Sequence, residues 1–488
     1  MLSLMFGFML SQSQKPGLVI LNSGLCMLTA AAVYFLVLKK MDVRKAIILI
    51  FIAGFLMRLA YIITLSIRIK QHDVGSVESM EGHLGYIAYL VYNGHLPDMD
   101  VRNVYQFYHP PLHHIIAAIW VKLQSLLMPR SDSIWENIQV LTMFYSCCCM
   151  ILSYKIFREL GLSGKGLAAA FAVIAFCPTF YIMSGSINND ILSITLMLAA
   201  ILNTLYWYKS RSMGRILCIA LSVGFAMMAK LSGWMVAPAI AFIFLYVFFK
   251  EIKKFKKYLL QFGAFLGVCV PIALWWEVRN YISHEVPFTY IMELSKKSKQ
   301  YIGNIPVTKR LFDFNFSQFQ DVGDQFRLYG GKYNEYNPLV ALFKTSMFDE
   351  TFTTKFYPEI DGFNKLLFWS AVLLGVIGFA AMIYLFIRDK KLSGVHKIFL
   401  GTLYAVFMGS YYIFCIRFPQ VCTENIRYAV PVIVIGAFFI GRLIYKMIED
   451  NRKKPDIVRQ TVSYFTMFVT SVYSLMSILT YDIVFINI

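Results

Sequence analysis

Between Arg68 and His114 the chain gathers the residue types that move protons: His72-Asp73, Glu81-Gly82-His83, a Leu96-Pro97 corner and Tyr108-His109-Pro110-Pro111-Leu112. Carboxylates and imidazoles in one loop are the groups from which general acids and bases are drawn. Four further clusters lie at the ends of apolar runs: Asn188-Asn189-Asp190, Lys230, Trp275-Trp276-Glu277-Val278-Arg279-Asn280 and Glu424-Asn425-Ile426-Arg427-Tyr428. Ionisable side chains at a membrane edge are costly, so these are functional candidates by default. Each also has a structural reading. Asp190 suits the N-cap of a helix from Ile191, and Lys230, Arg279 and Arg427 suit snorkelling helix ends. His109 precedes two prolines that fit a first helical turn, where its imidazole and the helix N-terminus would face an anion or a sugar hydroxyl, or where it simply bonds backbone.

Metal signals are weak. Asp98-Met99-Asp100 has a D-x-D spacing and His109 lies four residues before His113, but the acids follow Pro97 in a turn, where Asp is ordinary. No third ligand can be named, so the expectation is no obligatory cofactor, a divalent metal being the alternative.

These residues sit in a chain that is 58% hydrophobic, 16% aromatic and only 15% charged across 488 positions. That balance belongs to an integral membrane protein. The net charge of +18 does not indicate nucleic acid, because the basic residues fall in short runs between apolar segments, the pattern that orients spans and meets anionic lipid. The nine cysteines, three of them consecutive at Cys147-Cys148-Cys149, lack ligand spacing and read as small buried hydrophobes. Met1-Leu2-Ser3 opens without a basic n-region, and no small-x-small site follows the apolar stretch, so the first span is expected to stay.

Spans of about 20 residues are expected at 17–38, 46–66, 137–157, 166–184, 190–208, 214–230, 232–249, 258–278, 364–387, 396–416, 426–447 and 462–481. The predicted fold class is therefore an all-α polytopic membrane protein of about twelve transmembrane helices. Residues 110–128 are a further apolar segment. If they do not cross, six short loops holding more than half of the 46 Lys and Arg residues share one side, which the positive-inside rule makes cytoplasmic. Both termini and the loops 67–136 and 279–363 then face outward, and 110–128 is an interfacial or re-entrant helix. The organisation expected is a transmembrane core over 1–278, a large outer loop or small outer domain over 279–363, and C-terminal helices over 364–488. No cytoplasmic loop carries a nucleotide-binding fingerprint.

An outer loop with an early Asp, an amphipathic stretch ending in Gly94-His95-Leu96-Pro97, then Tyr108-His109-Pro110-Pro111-Leu112, resembles the first outer loop of GT-C glycosyltransferases that use polyprenyl-phosphate sugars. Asn189-Asp190, Ala229-Lys230-Leu231-Ser232-Gly233 and Ile426-Arg427-Tyr428 with Pro431 are similar to later landmarks of the RgtA/B/C/D-like, phospholipid carrier-dependent group, related to protein O-mannosyltransferases and the aminoarabinose transferases of lipid A. The resemblance implies an inverting transfer of a sugar from a polyprenyl-phosphate donor to a glycan, lipid or protein acceptor. The active site would lie on the extracytoplasmic face of the cell membrane. It makes Asp73 the general base, with Glu81 or Glu78 replacing the second acid of the Asp-Glu pair seen in relatives, where Val74 stands here. It makes Asp190 a substrate-orienting acid, and Lys230, Arg427 and Arg279 the cations that meet the phosphate leaving group. Tyr108, His109 and His83 would line the substrate site. A multi-span transporter or flippase of lipid-linked sugars and an envelope polysaccharide polymerase are the competing readings. The first is opposed by charges at span ends rather than mid-bilayer, and the second is kept open by the basic 279–363 loop.

Overall fold

The computed structural model describes residues 14–69, 71–127, 133–314, 319, 328–329, 332–333, 335–349, 360–453 and 455–487. Among them, 11 helices are long and apolar enough to cross a membrane. The first two are α1 (Pro16–Val37) and α2 (Val43–Thr64). Asp42 caps α2, accepting from the Lys45 amide at 2.8 Å, and so satisfies one of the donors a helix start leaves open.

Two shorter helices follow in the first outer loop, α3 (Gly82–Asn93) and α4 (Leu112–Leu127), and α5 (Ile138–Glu159) returns to the bundle. The next span is broken. α6 (Gly164–Phe176) stops at Cys177 and α7 (Pro178–Gly185) restarts at a proline, which has no N–H to continue the ladder. Arg58 of α2 fills the break: its Nη1 donates to the carbonyls of Gly54 at 2.7 Å and Ala175 at 3.0 Å, and its Nε to Ser146 at 2.8 Å.

α8 (Asp190–Ser210), α9 (Met213–Ala229), α10 (Ala237–Lys250) and α11 (Phe255–His284) continue the bundle. α9 has 17 residues, about 25 Å of helix, and packs lengthwise between α8 and α11. Added to the 11 longer helices, it matches the expected number of about twelve. The outer segment after α11 holds α12 (Val307–Phe312), a two-stranded antiparallel hairpin pairing Leu328 with Tyr333, and α13 (Pro338–Phe348). Gly330, Gly331, Met128 and the stretch 350–359 lie outside the described residues.

The chain closes with α14 (Asp361–Arg388), α15 (Gly394–Arg417), α16 (Pro431–Lys453) and α17 (Ile457–Asn487). α6 and α16 meet backbone to backbone: a Cβ on Gly166 would stand 2.2 Å from the Gly441 carbonyl, and one on Gly441 2.4 Å from that of Gly166. Such close approach is how membrane helices gain contact without a hydrophobic drive. One expected span begins later than its apolar run. Residues 426–428 form a single 3₁₀ turn and the helix starts at Pro431, so Arg427 sits on a loop that can be aimed.

α3 and α4 pack on each other and bury Leu84, Tyr86, Ala117 and Val121 with Ile138, Met228 and Trp276 from the ends of α5, α9 and α11. This cluster forms a cap on the end of the bundle opposite the short basic loops. Leu126 and Leu127 at the end of α4 are 78% and 81% exposed.

Candidate active site

The cap fixes Asp73 through a tight loop. The Asp73 carbonyl accepts from the His83 amide at 2.9 Å, Val74 from Leu84 at 2.8 Å, and Ser76 donates to the Glu81 carbonyl at 3.1 Å. Two glycines make the closure possible. Gly75 has φ +66° and a Cβ there would lie 1.8 Å from the Glu81 carbonyl, while Gly82 has φ +73° and would collide with Val74. Asp73 itself has φ +55°, a conformation Asp tolerates better than most residues.

Its carboxylate is fully engaged. The Tyr105 hydroxyl donates to Oδ1, and Arg427 Nη1 donates to Oδ2 at 3.3 Å across 354 residues of sequence. Burial alone would raise its pKa, but Arg427 first, then His72, Tyr105 and His83, hold the carboxyl well below the usual range.

Two further ion pairs adjoin this one. Asp190, buried at the start of α8, pairs with Lys230, the residue that ends α9. Local hydrogen bonds bring the two helix ends together: Asn189 Nδ2 donates to the Ala229 carbonyl at 2.7 Å and Ser193 to Ala226 at 3.0 Å, satisfying carbonyls left open at the C-terminus of α9. Lys230 Nζ and the Arg427 guanidinium both lie near the Tyr428 ring, 4.9 and 5.1 Å from its centroid. The third pair is His72 Nε2 with Asp349 Oδ2 at 2.6 Å. Asp349 Oδ1 accepts from Asn425 Nδ2 at 2.9 Å, and Asn425 Oδ1 accepts from the Arg427 amide at 2.9 Å. Three acids therefore face three basic groups drawn from the first outer loop, the ends of α8 and α9, the end of α13 and the loop before α16.

His72, Asp190, Asp349, Asn425 and Arg427, with Ser186, Asn188 and Thr345, line a small polar cavity. Ile426 also lines a separate apolar groove walled by Leu342, Phe343, Ala371, Leu374, Gly378 and Ile440. A charged pocket and an apolar slot between α13, α14 and α16 thus lie on either side of Ile426.

The other sequence candidates divide. Tyr108 and His109 lie at the cluster. The Tyr108 hydroxyl is raised by burial and then Asp73, while His109 is lowered to about 3 by burial and then Lys230, so it stands there as a neutral imidazole. His83 is buried one layer behind, stacked between His109 and His114 at 5.5 and 5.2 Å, with Nδ1 2.9 Å from His114 Nε2; it supports the Asp73 loop through its backbone. Glu81 is not brought to the cluster. Its side chain is exposed and makes no capping bond, and only its carbonyl serves the loop. Glu78 is exposed beside Arg68 at 3.9 Å. Arg279 is turned away from the cavity, donating to the Pro97 carbonyl and to Asn280 at 2.9 Å over the Trp276 ring. It pins the Leu96-Pro97 corner.

Of the D-x-D acids, Asp98 accepts from Tyr89 at 3.3 Å and Asp100 is bound by Arg102 at 2.6 Å. No group of three or more His, Cys, Asp or Glu side chains suited to a metal ion occurs among the described residues. Sequence reasoning missed Asp349 and Tyr105, and it assigned no role to Asn425 within the Glu424–Tyr428 cluster it singled out. Asp349 carries no motif, and only its φ of +55° in the structure distinguishes it.

Residues 108–276, which run from Tyr108 through Asp190 and Lys230 to Trp276, match the family described as dolichyl-phosphate-mannose-protein mannosyltransferase. The fold is similar to that of ArnT from Cupriavidus metallidurans in the apo state, at 11% identity over 90% of this chain and 76% of that one, with a TM-score of 0.51. ArnT bound to undecaprenyl phosphate aligns over the same shares at 13% identity and a TM-score of 0.49. The Archaeoglobus fulgidus oligosaccharyltransferase tethered to an acceptor peptide aligns at 14% identity over 90% of this chain and 55% of that one, TM-score 0.49. No curated protein sequence matches the chain.

Proposed function

For a chain with the GT-C fold, we propose transfer of a sugar from a polyprenyl-phosphate donor to a hydroxyl-bearing acceptor, at the extracytoplasmic end of the bundle. One observation carries this reading: Asp73 and Arg427 converge beside a polar cavity that shares the Ile426 side chain with an apolar groove. A lipid tail suits the groove, a sugar suits the polar cavity, and the phosphate joining them falls between Arg427 and Lys230. The distribution of Lys and Arg supports the sidedness, since the short basic loops lie at the opposite end of the bundle.

The residues divide the work as follows. The acceptor oxygen attacks the anomeric carbon from the face opposite the phosphate, so configuration inverts, and Asp73 takes the acceptor's proton. The anomeric C–O bond breaks and its electron pair leaves with the lipid phosphate. Arg427 and Lys230 stabilise the charge that grows there, and Asp190 and the neutral His109 hold sugar hydroxyls. At rest Arg427 suppresses the basicity of Asp73. A donor phosphate drawing Arg427 toward itself relaxes that suppression, so the base gains strength as the leaving group arrives. Glu81 has no part in this scheme.

The test is mass analysis of envelope glycans and lipid-linked sugars in cells with and without the chain, and with Asp73→Asn. Loss of one sugar from an acceptor with build-up of its lipid-linked form is expected. An unchanged profile would reject the reading. Cysteine labelling at Ser76 and Ser210 by an impermeant reagent checks the sidedness, Ser76 alone being reached from outside.

A further inference from the structure

The Arg427 turn is held from one direction by an element that no motif marks. Two attachments run from the C-terminal end of α13 to residues 425 and 426, and a third bond within the turn carries them to residue 427. Asp349 Oδ1 accepts from Asn425 Nδ2 at 2.9 Å, Thr345 Oγ1 accepts from the Ile426 amide at 2.9 Å, and Asn425 Oδ1 passes the hold on to the Arg427 amide at 2.9 Å. The second oxygen of Asp349 is fixed by His72 at 2.6 Å, so the carboxylate cannot swing away from Asn425 without breaking that contact. Asp349 is 13% exposed at its side chain and has φ +55° and ψ −164° just after the last turn of α13. A non-glycine residue in that region costs on the order of 1–3 kcal/mol and persists only where the surroundings fix it, which is characteristic of sites that need a rigid geometry.

We infer that Asp349 is a positioning residue for the phosphate-binding arginine, acting through Asn425. The inference rests on the reading of Arg427 as the phosphate cation. Arg427 lies outside any regular helix, and its guanidinium reaches Asp73 at 3.3 Å. Without an anchor the backbone of a loop residue samples positions that misplace a guanidinium by an ångström or more, and displacements of that size cost a site large factors. Asp349 and Asn425 supply the anchor, in the way that outer partners orient the groups that touch a ligand. The connection also gives the 279–363 segment a function: Asp349, at the end of α13, sets the geometry of a residue 78 positions downstream in the loop before α16.

The experiment measures binding of undecaprenyl phosphate, free of sugar, to the full-length purified protein, with thermal unfolding as the control for folding. Two variants keep the charge of the site unchanged. Asp349→Glu moves the carboxylate by one methylene, and Asn425→Ala removes the link itself. Each is expected to weaken binding about tenfold in the wild-type background and to have no further effect when Arg427 is already alanine. A purely structural contribution would weaken binding equally in both backgrounds, and that additivity would overturn the inference. So would wild-type affinity in both variants. If Asp349→Glu does not fold, Asn425→Ala tests the same link. Absence of saturable binding by the wild-type protein would instead refute the donor reading on which the inference depends, so the two failures are distinct.

Discussion

Replacing Asp73 by Asn should move turnover and donor binding in opposite directions. The amide keeps the size of the side chain and an oxygen for the Tyr105 hydroxyl, but it is not a base, and loss of a general base costs about 10² to 10⁴ in rate. Arg427 at the same time loses its internal counterion. Two unit charges 3.3 Å apart attract by about 5 kcal/mol at an effective dielectric of about 20. Desolvation offsets most of that, leaving the roughly 1.5–3 kcal/mol typical of a hydrogen bond to a charged group. With the Asp73 side chain 25% exposed, the lower end applies. A donor phosphate no longer has to compete with that carboxylate, so affinity for undecaprenyl phosphate should rise by up to about tenfold, since about 1.4 kcal/mol is a factor of ten. Turnover is read as sugar transferred in membranes containing equal amounts of the two proteins, and affinity by titration of the purified proteins. Near-normal turnover in the Asn variant would refute the assignment of the base. A tenfold loss of affinity would refute the competition between carboxylate and phosphate.

Lys230→Ala leaves Asp190 buried without its cation, at 3% exposure, and breaking such a pair costs about 3–5 kcal/mol; Asp190→Asn in the same chain should recover the thermal midpoint but not the affinity for polyprenyl phosphate. Gly75→Ala should lower stability by more than about 2 kcal/mol, since it combines a left-handed backbone with a collision, whereas Gly161→Ala, at φ +80° with nothing within 4 Å of its Cβ, should cost only about 1–2 kcal/mol in the same unfolding measurement. Glu424 is raised to about 8 by burial, which outweighs Arg310 at 3.5 Å, with Glu335 adding to the rise. The folded state therefore holds this proton more tightly than the unfolded chain does. The stability it contributes is full below the unfolded pKa and is lost as pH rises through about 8. Glu424→Gln should flatten the fall in thermal midpoint between the unfolded value of 4.5 and about 8, and an unchanged slope would remove Glu424 as its cause.

The spans were legible in the sequence because hydropathy and charge act locally: a run of apolar side chains of bilayer length, and the Lys and Arg residues beside it, carry the same meaning whatever packs against them. The motif residues Asp73, Asp190, Lys230 and Arg427 were legible for a related reason, each being an ionisable group at the end of such a run. Local position does not give direction. Arg279 carries the same edge-of-span signal as Lys230, yet its guanidinium turns to the Pro97 carbonyl, and Glu81, beside the right loop, faces solvent. The breaks in regular structure were only half visible, since Pro178 and Pro431 announce helix starts but not the Arg58 contacts or the 3₁₀ turn that accompany them. What the tertiary structure alone decided is the pairing. Arg427 meets Asp73 over 354 residues, and His72 meets Asp349 over 277. Such contacts depend on how the bundle brings distant helix ends into one cap, and no local property of Asp349, an ordinary acid at the end of a short helix, foretells them.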